Sequence, residues 1–596
     1  MKNKIIKNHL FSKCLLTFIL LFCFILQLSV QGVVYVNKNA IGANNGNSWA
    51  DAYTTIQAGI NDADVADEEV WVAQGTYPEA ITMKSGVKLY GGFNGTETEL
   101  NQRNWTTNVT TIDGSTARGG LPTYHVVIMH SITFSIIDGF TITGGNADSE
   151  GTNGYGGGIF CYNCNDTNTI ENNTIKGNSA VQGGGIYCRS SSLSIRNNAF
   201  SQNSAYDGGG GIYFESSLPY LTVKNNIFSW NSATNGGGLH CANSSPQITN
   251  NIILRNTAST WGGGIHCGSS SPQITDNIIS GNSGYSGGGI SCELGSSPSI
   301  LNNTISGNSA YWSGGGVYCG NSSSPVITNN NISGNSANIN GGGIFCNDAS
   351  PAITNNTISR NSASTNGGGF FCDSSSPYIK NNIFINNSQY DIYEPDINSD
   401  PIVSYNNFFG NLDGIYYDEG LFAYTSVSAM DSAIAECSNN IGLNPLFVGD
   451  TLSGGNWTAD AIYNSATFQT TLTNSSAIWT PNEHAGRLLN PDTTHNKQFV
   501  IVSNTATTMT VWSDVTTITQ NGDAYKIFDY HLQLASPCID AGYDQDVPDI
   551  DFDGEPRPMD VLGIDNNGPL AEYDIGADEY PGVTTTLAAT VWEFYQ

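Results

Sequence analysis

Gly262-Gly263-Gly264-Ile265-His266-Cys267-Gly268-Ser269-Ser270-Ser271-Pro272-Gln273-Ile274-Thr275-Asp276-Asn277-Ile278-Ile279-Ser280-Gly281-Asn282-Ser283 is one unit of a repeat that decides the fold. Ile265 and Cys267 are two residues apart and share one face of an extended chain, while His266 points the other way. The same alternation occurs in Pro272-Gln273-Ile274-Thr275. Glycine triplets, β-branched residues and an excess of Asn and Ser disfavour helix throughout, because Asn and Ser compete for backbone hydrogen bonds. The glycine block recurs nine times, with first glycines at Gly156, Gly183, Gly209, Gly236, Gly262, Gly287, Gly314, Gly341 and Gly367. Spacings of 25 to 27 residues mean that each unit stacks on the one before it. Three short strands fit in each unit, which predicts one triangular turn of a solenoid per repeat.

Stacking at about 4.8 Å sets equivalent side chains in ladders. One aliphatic ladder runs from Ile170 to Ile379 and a second from Ile175 to Phe384. Asparagines from Asn178 to Asn387 form another, in which each amide donates to one neighbouring coil and accepts from the other. Cys161, Cys188, Cys241, Cys267, Cys292, Cys319, Cys346 and Cys372 form a fourth, with Phe214 in the third unit. Parallel stacking holds their Cβ atoms beyond the roughly 3.5 to 4.5 Å of a relaxed disulfide, so buried thiols acting as small apolar filler are expected. A Cys437–Cys538 pair stays open.

These units resemble the right-handed parallel β-helix repeats of the pectate-lyase-like superfamily. The pairing of Phe228-Ser229-Trp230-Asn231 with Gly236-Gly237-Gly238-Leu239 is similar to the repeats of polymorphic outer-membrane autotransporters. Ser536-Pro537-Cys538-Ile539-Asp540-Ala541-Gly542, with Asp574-Ile575-Gly576-Ala577-Asp578-Glu579-Tyr580, resembles the end segment of bacterial surface β-helix proteins that carry varied anchors. The resemblance implies a secreted or cell-surface protein. It departs from the autotransporters in that no membrane barrel of alternating strands is visible at the C-terminus.

The expected fold is therefore all-β, a right-handed parallel β-helix solenoid with an N-terminal capping helix and a small β insertion near the C-terminus. Residues 1–32 read as a signal peptide: Lys2, Lys4, Lys7 and Lys13 precede an apolar run from Leu15 to Leu28, and no transmembrane anchor is expected in the mature chain. Residues 33–150 read as the cap and irregular first coils. Within them Ser48 to Ala63 is predicted helical, capped by Ser48, with Trp49, Tyr53, Ile56 and Ile60 on one stripe. Residues 151–410 are the regular coils, 411–453 irregular late coils, 454–527 the β insertion, 528–580 the end segment and 581–596 a tail.

Removing the four leader lysines takes the net charge from -31 to -35, yet only 12% of residues are charged. Such a neutral, polar and slightly acidic surface lacks the clustered Lys and Arg that nucleic acid or anionic membrane requires. Glycans and cell-surface proteins suit it better as partners.

The outward residue of each glycine-led strand is the candidate ligand-binding position. Coil by coil it is Phe160, Tyr187, Tyr213, His240, His266, Ser291, Tyr318, Phe345 and Phe371, predicting a ring stripe about 40 Å long. Trp261, Tyr285, Tyr311 and Trp312 precede those strands and border the stripe. An exposed stripe of rings suits sugar rings or protein side chains, whereas ring stacking that only reinforces the sheet is the other reading. Asp549, Asp551 and Asp553, with Asp560 at the twelfth position, supply hard oxygen ligands for Ca²⁺, against the alternative of a solvated acidic turn.

Three functions remain in play. The leading one is non-catalytic display of a repetitive face for adhesion or glycan binding. A polysaccharide lyase or glycoside hydrolase would need paired acids, or a cation cluster with a base, on the coils between Val33 and Gly145. A purely structural surface protein would hide its rings under loops.

Overall fold

The computed structural model describes residues 32–63, 68–217, 220–452, 454–543, 549–553, 557 and 573–577. Apart from Gly32 the expected signal peptide lies outside the described residues, as does the tail. The chain winds into a parallel solenoid whose coils stack in sheets of 15, 14, 13 and 9 strands, with a separate seven-stranded antiparallel sheet.

Each regular coil has four strands, not the three expected. In the unit quoted above they are Ile265–Gly268, Gln273–Thr275, Ile278–Ser280 and Ser283–Gly284. The extra strand is the Ser-Ala segment of other units. Its backbone stays extended after the ladder asparagine and pairs with its equivalents, as at Ser309↔Ser336 and Ala310↔Ala337, before the glycines turn the chain. Bends between strands are made by single residues in the left-handed region, such as Asp276 (φ 57) and Gly281 (φ 64), each followed by a buried asparagine.

Two asparagine ladders result, one more than the sequence reading identified. The expected ladder includes Asn256, Asn282 and Asn308; the second runs through Asn251, Asn277 and Asn303. Asn282 Nδ2 donates to Ile253 O at 2.8 Å and to Asn308 Oδ1 at 3.0 Å. Its Oδ1 accepts from Asn256 N at 2.9 Å and Asn256 Nδ2 at 3.0 Å. Asn277 repeats this pattern with Ile248, Asn303 and Asn251. Each ladder ends on a carboxylate, Asp391 beneath Asn387 and Asp431 beneath Asn440, which accepts the last amide protons.

The glycine triplet is required for two different reasons. Gly262 has φ 65, and a Cβ there would meet Ile265 O at 2.2 Å. Gly263 and Gly264 instead face the adjoining coil, where a Cβ would lie 2.4 Å from Ser283 O and 2.6 Å from Gly289 O. The coil pitch at this corner leaves no room for any side chain.

Inside, the two aliphatic ladders and the cysteine ladder are fully buried. The cysteines are free thiols, and so are Cys437 and Cys538, which lie in different hydrophobic clusters and do not pair. The N-terminal helix α1, Ile56–Asp62, is shorter than expected and starts at Thr55. Ser48 and Asp51 do exchange the expected cap hydrogen bonds, but Tyr53 pairs with Tyr35 and Asn37 instead of joining a helix. The Thr55 side chain caps α1 by accepting from Ala58 N, and Glu79 adds to the cap by accepting from Ile56 N and Gln57 N. Ile56 and Ile60 close the open end of the core. A second short helix, α2 (Val427–Ala433), closes the far end with buried Met430; the sequence reading did not foresee it.

The predicted insertion is present as the antiparallel sheet between Gly455 and Phe528. Leu488, Val500, Trp512 and Phe528 pack on Ile252 and Leu254, the outer face of one solenoid sheet. Further along that face, Cys538, Ile539 and Ile575 of the end segment pack on Ile383 and Ile385. Glycine sets the docking distance: a Cβ at Gly334 would meet Asn496 O at 2.3 Å, whereas one at the equivalent Gly177 meets only Thr143 Oγ1 at 3.5 Å.

Asn282→Ala strands buried partners on both sides, so it is expected to lower stability by about 3 kcal/mol in denaturant unfolding followed by circular dichroism. Gly177→Ala and Gly334→Ala should share a backbone strain of about 1 to 2 kcal/mol. Only Gly334→Ala should also speed hydrogen exchange in Phe499–Asn504, because only it pushes the insertion off the solenoid.

Candidate functional site

The expected ring stripe is in register on the outer face of the glycine-led sheet. Phe160 pairs with Tyr187, Tyr187 with Tyr213, Tyr213 with His240 and His240 with His266. After Ser291, Tyr318, Phe345 and Phe371 continue it, and Tyr393 and Tyr417 extend it by two further coils that the sequence reading left out. Those two lie beyond the last glycine triplet, where register rather than motif carries the pattern.

The rings of the stripe are largely buried. They are 0–7% exposed except for half-buried Tyr318, Tyr393 and Tyr417. Two causes act together. Rings above and below cover each face, with centroids 5.6 Å apart for Tyr187–Tyr213, 5.2 Å for Phe345–Phe371 and 4.6 Å for Tyr393–Tyr417. The glycine corner also folds the preceding segment back over the row, so that the Cβ position of Gly208 falls only 2.1 Å from His240 Nδ1. Solvent therefore meets the edges of a stack. Burial holds His240 far below the ordinary histidine range, at about 3, and burial together with the neighbouring His240 holds His266 well below it, so both are neutral members of the stack.

Open ring faces occur where the stack is interrupted. Ser291 contributes no ring, and Trp261 turns in beside the gap with its centroid 5.1 Å from Tyr318. Just outside, Tyr285, Tyr311 and Trp312 are 37%, 66% and 45% exposed, with centroids 5.6 Å (Tyr285–Tyr311) and 5.8 Å (Tyr285–Trp312) apart. Backbone hydrogen bonds from Tyr311 N to Gly284 O and Trp312 N to Tyr285 O fix this platform to the adjacent coil. The side chains that the sequence places at the border of the stripe are thus the ones with faces to offer.

Buried Glu293 lies on the same outward face, and Asn321 Nδ2 donates to it at 3.5 Å. Desolvation raises its carboxyl to about 7. At the N-terminal end of the stripe His125, His130, Phe160 and Tyr162 line a hollow of about 400 Å³.

Two acids on the early coils are adjacent and paired with arginines. Asp138 and Glu171 are neighbours in parallel register. Arg103 Nη2 holds Asp138 Oδ2 at 2.5 Å while Asn172 Nδ2 holds Oδ1 at 3.0 Å. Arg196 Nε donates to Glu171 Oε2 at 2.7 Å. Arg103 also donates to Gly91 O and stacks over Tyr90 and Trp105, so this network ties the 100–108 loop to the coils. Arg189 and Glu215 face each other at 3.9 Å, and the Tyr187 hydroxyl donates to Glu215.

Of the candidate calcium ligands, Asp549 is exposed, Asp551 is buried, and Asp553 Oδ2 meets His531 Nε2 at 2.6 Å; Asp560 lies outside the described residues. Asp551 Oδ1 accepts from Asp553 N, as in an acidic turn. Among the described residues no three His, Cys, Asp or Glu side chains converge as a metal ion would need. No helix among them is long and apolar enough to cross a membrane.

Residues 85–253, 157–315 and 288–477 each match the family described as right handed beta helix region. No curated protein matches the chain. Among solved structures, the pectate lyase Pel9A is 13% identical with a TM-score of 0.34, covering 93% of this chain and 98% of its own. The PL6 family polysaccharide lyase Pedsa3628 from Pseudopedobacter saltans is 11% identical with a TM-score of 0.34, over 65% and 91%. PfbA, a surface adhesin of Streptococcus pneumoniae, is 13% identical with a TM-score of 0.28, over 61% and 87%. At these values the likenesses carry nothing about activity.

Glu293 keeps its proton in the folded chain up to about pH 7, whereas its ordinary value is 4.5. Stability from this group is full below pH 4.5 and is lost as pH rises through 7. Glu293→Gln should therefore melt higher than the parent at pH 8 and the two should converge near pH 4, as read by differential scanning calorimetry.

Proposed function

This chain belongs to the right-handed β-helix family, and on that scaffold we propose a secreted or surface protein that binds glycans through the Tyr285, Tyr311 and Trp312 platform without cleaving them. The observation that carries the reading is a group of rings with open faces, held rigidly beside a stack whose own faces are closed. Pyranose rings present C–H faces that pack on aromatic faces, and a platform rimmed by Ser, Asn and Thr adds hydrogen-bonding groups for the hydroxyls. The acidic, weakly charged surface fits neutral polymers and excludes partners that need basic clusters. Adhesion follows if many copies meet a repetitive polymer, since each contact is weak and the array multiplies it.

The non-catalytic part of the reading rests on the early acids, Asp138 and Glu171, being held by arginines rather than turned to a substrate. The ring stack serves as internal reinforcement of the glycine-led sheet, which divides the aromatic residues into two roles.

Glycan-array and polysaccharide pull-down measurements on the mature chain test this directly. Trp312→Ala and Tyr311→Ala should abolish saturable binding at an unchanged melting temperature. Phe345→Ala should lower stability by about 3 kcal/mol, as for other buried rings, while leaving binding intact. Binding insensitive to Trp312 and Tyr311 would overturn the reading, and release of unsaturated or reducing-end products would replace it with catalysis.

A further inference from the structure

The insertion and the solenoid enclose a cavity of about 310 Å³ that the glycan platform does not use. Its solenoid side is formed by Arg255, Ser309 and two glycines, Gly281 and Gly307; its insertion side includes Lys497, His495 and Thr517. The glycines let the insertion come close. They occupy the left-handed bend position that Trp230 and Arg255 fill in preceding coils, and a Cβ would lie 3.0 Å from Gln498 O at Gly307 and 3.8 Å from Phe499 at Gly281.

The cavity gathers positive charge on a chain of net negative charge. Arg255 and Lys497 both line it, and neither forms an ion pair among the described residues. Arg255 Nε donates to Ser513 Oγ at 2.9 Å and the guanidinium lies over Trp230, but Nη2 is buried with no hydrogen-bond partner. Desolvation lowers the charged state of both cations, and Arg255 further disfavours the charge on Lys497. Asp514, which accepts from Thr516 N and Oγ1, acts on Arg255 through space without pairing with it, and Asp492 faces His495 at 3.7 Å. Two partly desolvated cations without a direct ion pair, one with a buried nitrogen lacking a hydrogen-bond partner, are costly, and an anion between them would reduce that cost.

We propose that this cavity binds a small oxyanion, a carboxylate, sulfate or phosphate group, on a ligand no larger than a single acidic sugar. Arg255 and Lys497 would supply charge-assisted hydrogen bonds, and the hydroxyls of Ser309 and Thr517 line the same space. The site exists only when the insertion is docked, since each wall contributes one cation. Ligand binding would therefore fasten the insertion to the solenoid.

Calorimetric titration of the mature chain with sodium sulfate, glucuronate and glucose at fixed ionic strength tests the proposal. Sulfate or glucuronate should bind saturably and glucose should not; binding by glucuronate alone identifies a sugar acid, and binding by both identifies a general oxyanion site. Arg255→Gln and Lys497→Gln should each weaken binding by about tenfold or more, the equivalent of one lost charged contact. Trp312→Ala should leave it unchanged, which separates this site from the glycan platform. As a measurement independent of variants, sulfate should slow hydrogen exchange in Phe499–Asn504 of the unaltered chain relative to chloride. Absence of anion binding at millimolar concentration, or binding unaffected by both substitutions, would overturn the proposal.

Discussion

Each buried asparagine inside the two ladders depends on asparagines one coil away as well as on a backbone carbonyl. A carboxamide has two donors and an accepting oxygen, and at Asn282 all of them are spent across the coil interface and on Ile253. A slip of one residue in any strand would bury these groups unpaired, at a cost of a few kcal/mol for each. The ladders thus fix register, and register fixes everything stacked on it: the isoleucine columns, the thiols and the outward rings. Where the ladders end, Asp391 and Asp431 replace the absent next amide, so the array terminates without orphaned donors.

The same register that makes the ring row also closes it. Rings repeating at the coil pitch cover one another's faces, and a stack with covered faces gives cohesion but little recognition. In the proposed reading, recognition falls to interruptions in the pattern. Ser291 breaks the row, Trp261 leans into the gap, and Tyr285, Tyr311 and Trp312 stand outside it with free faces. Departures from the repeat mark the second site as well. Glycine at 281 and 307, in place of the larger side chains at 230 and 255, lets the insertion approach and leaves a cationic cavity beneath it.

Much of the coil was legible in the sequence because identical positions recur and alternation with period two assigns their faces. The isoleucine, cysteine and Asn178–Asn387 ladders all follow from that arithmetic. The Ser-Ala strand was not legible, since two residues of extended backbone carry no periodicity. The second asparagine ladder was hidden in Asn-Asn doublets such as Asn355-Asn356, where one residue makes the left-handed bend and the other turns inward. Helix α1 came out shorter because Tyr53 is drawn into backbone pairing with Tyr35 and Asn37, so the cap falls at Thr55 instead of Ser48, with Glu79, distant in sequence, accepting from the first two helical N–H groups.

By itself the sequence determined the solenoid, its pitch and which side chains face in or out, because these depend only on spacing and on the obligatory pairing of backbone and amide groups. It also indicated a chain suited to uncharged polar partners. Only the tertiary structure decided which outward rings stay exposed, which acids are already held by arginines, and which cations meet without a direct ion pair. Those are properties of distance between residues far apart in the chain, such as Arg255 and Lys497 or Trp261 and Tyr318, and a repeat pattern sets none of them.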